Sequence, residues 1–228
     1  MIRVTEKLRV IRDLLAKASN DAGRRNSSVK LLAVSKKQPV AAVLAAAEAG
    51  QRDFGENFVQ EGLEKIAATG RDDLIWHFIG HLQTNKTKAV AGHFSWVHTV
   101  DRLKTAARLS KQRPEDLDDL NICLQVNIDN DAGKSGVDAD EVLTLARSVS
   151  ALPRIRLRGL MCLPANCPEF EQQREPFARL HALLTLIKED GIDVDTLSMG
   201  MSGDYAAAIC EGSTIVRIGT AIFGARPV

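Results

Sequence analysis

The chain has 228 residues, 45% of them hydrophobic and 26% charged, with a formal net charge of +1 at pH 7. That length and apolar content suit a globular fold with a substantial core. The near-zero charge argues against nucleic acid as the main partner, because no basic excess stands ready to neutralise phosphates.

Residues 2–22 place Val4, Leu8, Ile11, Leu14 and Leu15 at helical spacing, which predicts an N-terminal helix. The charged start Met1-Ile2-Arg3-Val4-Thr5-Glu6-Lys7 lacks the apolar run of a secretory leader. Apolar runs then predict strands over 30–35, 52–55, 75–79, 96–100, 121–128, 156–162, 194–199 and 214–218. Amphipathic segments between them predict helices over 39–49, 57–69, 84–91, 101–111, 138–150, 170–190 and 203–211. Pro39 suits the first turn of its helix and Gly50 the C-cap. Pro164 and Pro168 mark a loop over 163–170 inside the repeat rather than a linker.

Eight strands interleaved with helices predict an α/β fold, a single (β/α)8 TIM barrel over 1–228 with an extra N-terminal helix. An open doubly wound sheet is the alternative, but no GxGxxG follows the first strand. No stretch is long and apolar enough to span a bilayer, so no membrane role is expected. Cys123, Cys162, Cys167 and Cys210 form no CxxC pair. Three of the four lie in apolar runs, which predicts small core residues and a reducing, cytoplasmic setting.

In such a barrel the chemistry gathers at the carboxyl ends of strands. Lys36 is foremost. It follows Leu31-Leu32-Ala33-Val34-Ser35, where a partly desolvated amine can lose its proton and attack a carbonyl. The same rim carries Glu56 and Asn57, Gly80 and His81, and Lys134 and Ser135. Ser198-Met199-Gly200-Met201-Ser202 ends strand seven and Arg217-Ile218-Gly219-Thr220 ends strand eight. Loops after strands seven and eight commonly hold phosphate. Glycines there let backbone approach an anion, Ser202 and Thr220 add hydroxyl donors, and a helix beginning near Ser202 would aim amides at it. Read alone, these glycines could equally serve as tight turns and Ser202 as a helix cap.

Other motifs carry less. Asp131-Ala132-Gly133-Lys134-Ser135-Gly136 is not a P-loop, because Ile128 stands where the first glycine is required. His77 and His98 sit in strand patterns and read as packed, hydrogen-bonded residues. His81, His93 and His181 have no metal-ligand spacing, and no serine has a GxSxG setting.

Taken together, several segments resemble one family. They are Ala33-Val34-Ser35-Lys36, Phe54-Gly55-Glu56-Asn57, Trp76-His77-Phe78-Ile79-Gly80, Leu82-Gln83-Thr84-Asn85-Lys86, Lys134-Ser135-Gly136 and Arg158-Gly159-Leu160-Met161. Ser198-Met199-Gly200-Met201-Ser202-Gly203-Asp204 and Val216-Arg217-Ile218-Gly219-Thr220-Ala221-Ile222-Phe223-Gly224 complete the set. Over about residues 30–226 the chain resembles the YggS/PROSC family of pyridoxal phosphate homeostasis proteins. The resemblance implies a barrel similar to the alanine racemase N-terminal domain, with pyridoxal 5′-phosphate (PLP) held as an aldimine on Lys36. It further implies that Ser202, Gly219 and Thr220 bind the phosphate, that Arg217 faces the pyridine nitrogen, and that Asn57 lies near the ring. Some relatives carry a second lysine two positions after the Schiff-base lysine. Gln38 stands there in this sequence, with Lys37 beside Lys36.

The function implied is vitamin B6 homeostasis: a PLP carrier that passes the cofactor to PLP-dependent apoenzymes, without turnover of its own. The alternative is an amino-acid racemase of low activity. Racemisation in the related fold takes a second base, a tyrosine, from an additional β domain. The chain ends at Val228 soon after the eighth strand, so no such domain and a monomer are expected. Its one tyrosine, Tyr205, is expected at the start of the helix after the phosphate loop.

Overall fold

The computed structural model of the protein describes residues 4–224. Helix α1, Val4–Asp21, buries Leu8, Ile11 and Leu15. The first residues of the helix expected over 2–22 lie outside the described residues. Strands and helices then alternate: β1 Lys30–Val34, α2 Val40–Glu48, β2 Asp53–Glu56, α3 Val59–Thr69, β3 Ile75–Phe78, α4 Thr87–His93, β4 Trp96–Val100 and α5 Leu103–Gln112. The second half holds β5 Leu120–Val126, α6 Val142–Ser150, β6 Ile155–Cys162, α7 Phe170–Glu189, β7 Thr196–Ser198, α8 Tyr205–Cys210, β8 Ile215–Ile218 and α9 Thr220–Phe223.

The strands close into a barrel in sequence order, each parallel to its neighbours, with β8 returning to pair β1. This is the (β/α)8 barrel expected from the alternation. Successive side chains of a strand point to opposite faces. Leu31, Ala33, Phe54, Phe78 and Val97 therefore pack outward, in the main core between barrel and helices. Leu32, Ile79, Trp96, Cys123, Met161 and Ile215 form a separate cluster inside the barrel. Each fully buried large apolar side chain contributes about 1.5–3 kcal/mol, so the outer layer dominates stability.

The differences from expectation are local. The segment over 84–91 is a short 3-10 turn, Thr84–Lys86, followed by α4. Helix α6 begins only at Val142, after turns through 138–141. The helix after β7 begins at Tyr205, not near Ser202. Its N-cap position is Asp204, whose Oδ1 accepts from Met201 N at 2.5 Å. Ser202 is thus in the turn before the helix and does not cap it. Two cysteines rather than three are core residues. Cys123 and Cys162 are buried, whereas Cys210 at the last turn of α8 is exposed and Cys167 is half-buried in a loop.

Candidate functional site at the carboxyl mouth of the barrel

The mouth formed by strand carboxyl ends holds a cavity of about 450 Å³, bordered by Lys36, Asn57, Ser202, Arg217, Gly219 and Thr220. The barrel brings together all six of the residues singled out in the sequence. Val34, Ile79, Met161 and Leu163 add apolar wall, and Gln38 stands beside Lys36.

Lys36 follows β1 and is held from behind. Lys65 of α3 is buried and donates from Nζ to Ser35 O at 2.6 Å, Glu56 Oε1 at 2.7 Å and Glu61 Oε1 at 2.7 Å. Ser35 Oγ donates to Glu56 Oε1 at 2.6 Å, and Lys37 N donates to Glu61 Oε1. Lys37 takes a left-handed φ of 59°. This lets the chain turn sharply after Lys36, at a cost that the fixed surroundings offset. Glu56, grouped above with the rim residues, therefore faces away from the mouth. Burial pushes its carboxyl above the usual range, opposed by Lys65 and Ser35.

Asn57 follows β2, and its Oδ1 is buried without a hydrogen-bond partner among the described residues. A buried amide oxygen left so costs about 1–3 kcal/mol, and this one is on a residue that borders the mouth cavity. Gly80 sets its place: a Cβ there would collide with Asn57 O.

Arg217 of β8 is only 5% exposed. Its Nη1 donates to Ser198 O at 2.6 Å and Ser198 Oγ at 2.9 Å, and its Nη2 donates to Cys162 O at 2.9 Å. Burial pulls its pKa down, and Cys162 and Asp204 oppose the shift. A guanidinium nevertheless stays charged in proteins, so the cavity has a fixed cation in its wall. Beside it the turn of Met201, Ser202 and Gly203 is braced by Asp204 N and Tyr205 N, which both donate to Met201 O. No atom lies within 4 Å of where a Cβ at Gly203 would stand. Gly219 packs its backbone against Val34, whose O lies 3.2 Å from a would-be Cβ. Exposed Ser202 and Thr220 hydroxyls flank these glycines, an arrangement suited to a multiply charged oxyanion.

The remaining rim residues lie apart. Lys134 is paired with Asp129 at 2.6 Å and, with Ser135 and His81, borders a neighbouring cavity. His77 and His98 are buried and hydrogen-bonded inside the barrel, as their strand positions suggested. Tyr205 packs against the main core. Among the described residues no cluster could hold a metal ion. No helix among them is long and apolar enough to cross a membrane.

The profile of the family described as alanine racemase, N-terminal domain, matches residues 10–227. A solved alanine racemase from Corynebacterium glutamicum shares the fold, with a TM-score of 0.70 at 18% identity over 96% of this chain and 61% of that one. A protein of Vibrio cholerae named pyridoxal phosphate homeostasis protein is 50% identical over 230 residues, covering 99% of this chain and 98% of that protein. PipY of Synechococcus elongatus, solved with PLP bound, superposes with a TM-score of 0.85 at 34% identity, over 97% of this chain and 100% of that one. The chain belongs to the pyridoxal phosphate homeostasis proteins, within the alanine racemase N-terminal domain family.

Proposed function

We propose that this chain binds PLP at the mouth of its barrel and serves in the homeostasis of that cofactor, as a carrier rather than an enzyme. The observation that carries the reading is one cavity bordered by an amine, a buried cation and two hydroxyl–glycine pairs. Those are the groups that an aldehyde, a pyridine ring and a phosphate require. Asn57 Oδ1, without a hydrogen-bond partner among the described residues, adds an acceptor on a residue that borders that cavity. The name of the V. cholerae relative and the PLP of PipY support the same reading.

Bound PLP supplies an aldehyde carbon for an amine and a ring that withdraws electrons. Lys36 Nζ would hold the aldehyde carbon, on a strand end fixed by Lys65. Ser202 and Thr220 hydroxyls and the backbone at Gly219 take the phosphate. Arg217, in the cavity wall, would face the ring nitrogen. Its permanent charge disfavours protonation of that nitrogen and leaves the ring a poorer electron sink. Asn57, which borders the same cavity, would lie near the ring. Such a site retains an aldehyde well and promotes carbanion chemistry poorly, which suits storage and delivery to PLP-dependent apoenzymes.

Borohydride reduction of the PLP-loaded protein, followed by peptide mapping, tests the reading. The pyridoxyl group is expected on Lys36. A label mainly on Lys37 or Lys134 would overturn the assignment.

A further inference from the structure

The interior of a (β/α)8 barrel is ordinarily filled with branched aliphatic side chains. Here an unbroken polar chain crosses it. Arg217 Nη1 lies 2.9 Å from Ser198 Oγ, and Ser198 Oγ lies 2.8 Å from His98 Nδ1. His98 Nε2 lies 2.9 Å from His77 Nδ1, and His77 Nε2 lies 3.0 Å from Asp53 Oδ1. Asp53 Oδ1 also accepts from Lys30 Nζ at 3.0 Å. Five strands contribute to the run from Arg217 to Asp53 at the amino-terminal end of β2, so it connects the mouth cavity with the opposite end of the barrel. Ser198, His98 and His77 are fully buried.

The direction of every proton in the chain follows from its two ends. Asp53, held as a carboxylate by Lys30, can only accept, so His77 Nε2 carries a hydrogen. Burial lowers the pKa of both histidines, with Asp53 opposing the shift at His77, which favours the neutral form of both rings. Neutral His77 then accepts at Nδ1, and His98 must donate from Nε2. Neutral His98 in turn accepts at Nδ1, and the Ser198 hydroxyl donates to it. Ser198 Oγ is left to accept from Arg217, which cannot accept at all. Each donor therefore points toward Asp53, and each acceptor end points toward Arg217. Aligned hydrogen bonds polarise one another, so the chain presents its negative end to a buried guanidinium that otherwise rests on backbone carbonyls.

We propose that Ser198, His98, His77 and Asp53 are positioning residues, which orient the Arg217 guanidinium toward the cofactor's ring nitrogen. This rests on the PLP reading above. Isolated packing histidines would not need a common donor direction or a carboxylate at the end of the line. The chain thereby links the electronic environment of the ring to residues that never touch it.

Two measurements test the device. In apo-protein at pH 7, nitrogen-15 NMR is expected to find His77 and His98 neutral and protonated on Nε2. Separate Arg217 Nη–H resonances are expected as well, with the Nη1 signals shifted in Ser198→Ala, which removes the Oγ acceptor and keeps both carbonyls. Protonation of His98 on Nδ1, or Arg217 signals unchanged by the substitution, would overturn the proposal without reference to any ligand. In the loaded protein, Ser198→Ala is expected to weaken PLP about tenfold, the loss of one hydrogen bond to a charged group. It should barely affect a PLP analogue with carbon in place of the ring nitrogen. Equal losses for both ligands, or none for either, would also overturn it. Should wild-type protein form no borohydride-trappable PLP adduct, the cofactor reading falls, while the NMR result still decides whether the chain holds Arg217.

Discussion

Lys65 Nζ donates to Ser35 O at 2.6 Å, so the strand end that carries Lys36 is tied from behind to helix α3. The same ammonium bonds Glu56, whose side chain is fully buried, while that of Lys65 is 4% exposed. Removing one partner of a buried ion pair strands the other charge. Lys65→Met is expected to cost about 3–5 kcal/mol of stability, and Lys65→Met with Glu56→Gln much less. Urea unfolding at pH 7 measures both. A single variant as stable as wild type would show that Lys65 is not needed to hold this strand end.

Lys36→Ala is expected to abolish the visible absorbance of the Schiff base while the protein still unfolds in one cooperative urea transition. Lys36 is half-buried at the cavity edge and outside both hydrophobic clusters, so its truncation leaves the apolar core intact. Absorbance and unfolding on the same preparation separate loss of the covalent link from loss of the fold.

Ser202→Ala with Thr220→Ala is expected to weaken PLP far more than pyridoxal. Both hydroxyls are exposed, so the low end of a charge-assisted bond, about 1.5 kcal/mol each, is appropriate. That predicts roughly a hundredfold loss for PLP. Fluorescence titration with the two ligands reads it, and equal losses would exclude a phosphate site there.

PLP-loaded protein is expected to give no substantial racemase, decarboxylase or transaminase turnover. Positioned acid–base assistance supplies about 10²–10⁴-fold in rate. Tyr205 packs against the core instead of bordering the mouth cavity, and Arg217 in the cavity wall would, on the proposed reading, keep the electron sink weak. The check is α-proton exchange and chiral product from L- and D-amino acids in deuterium oxide. Rapid interconversion that disappears in Lys36→Ala would promote the racemase alternative.

Stability is expected to fall on acidification partly through Asp53. Burial raises its pKa, but His77 and Lys30 outweigh that and leave it below the ordinary 3.8. A carboxylate depressed in this way adds stability above pH 3.8 that is lost as the pH falls through its folded value. Asp53→Asn should therefore flatten the acid limb of stability against pH. Urea midpoints between pH 5 and pH 3 measure the slope, and an unchanged slope would remove Asp53 from the acid response.

The sequence by itself determined the barrel. Short apolar runs such as Leu31–Val34, separated by amphipathic segments, are local signals, and parallel strands joined by helices have few ways to close. It also marked Lys36, Arg217 and the glycines near Ser202 and Thr220, because residues at the carboxyl ends of strands share one rim whatever the loops do. Only the tertiary structure decided which way side chains face. Glu56 and Asn57 are neighbours in sequence, yet alternation sends Glu56 outward to Lys65 while Asn57 borders the mouth. Glu61 and Lys65 look like an ordinary helical surface pair, and only packing of α3 against β1 and β2 buries the ammonium. His77 and His98 lie 21 residues apart, and Ser198 a further 100, so no local pattern relates them. Barrel closure alone brings them within hydrogen-bond distance, because it places the inward residues of distant strands around one axis.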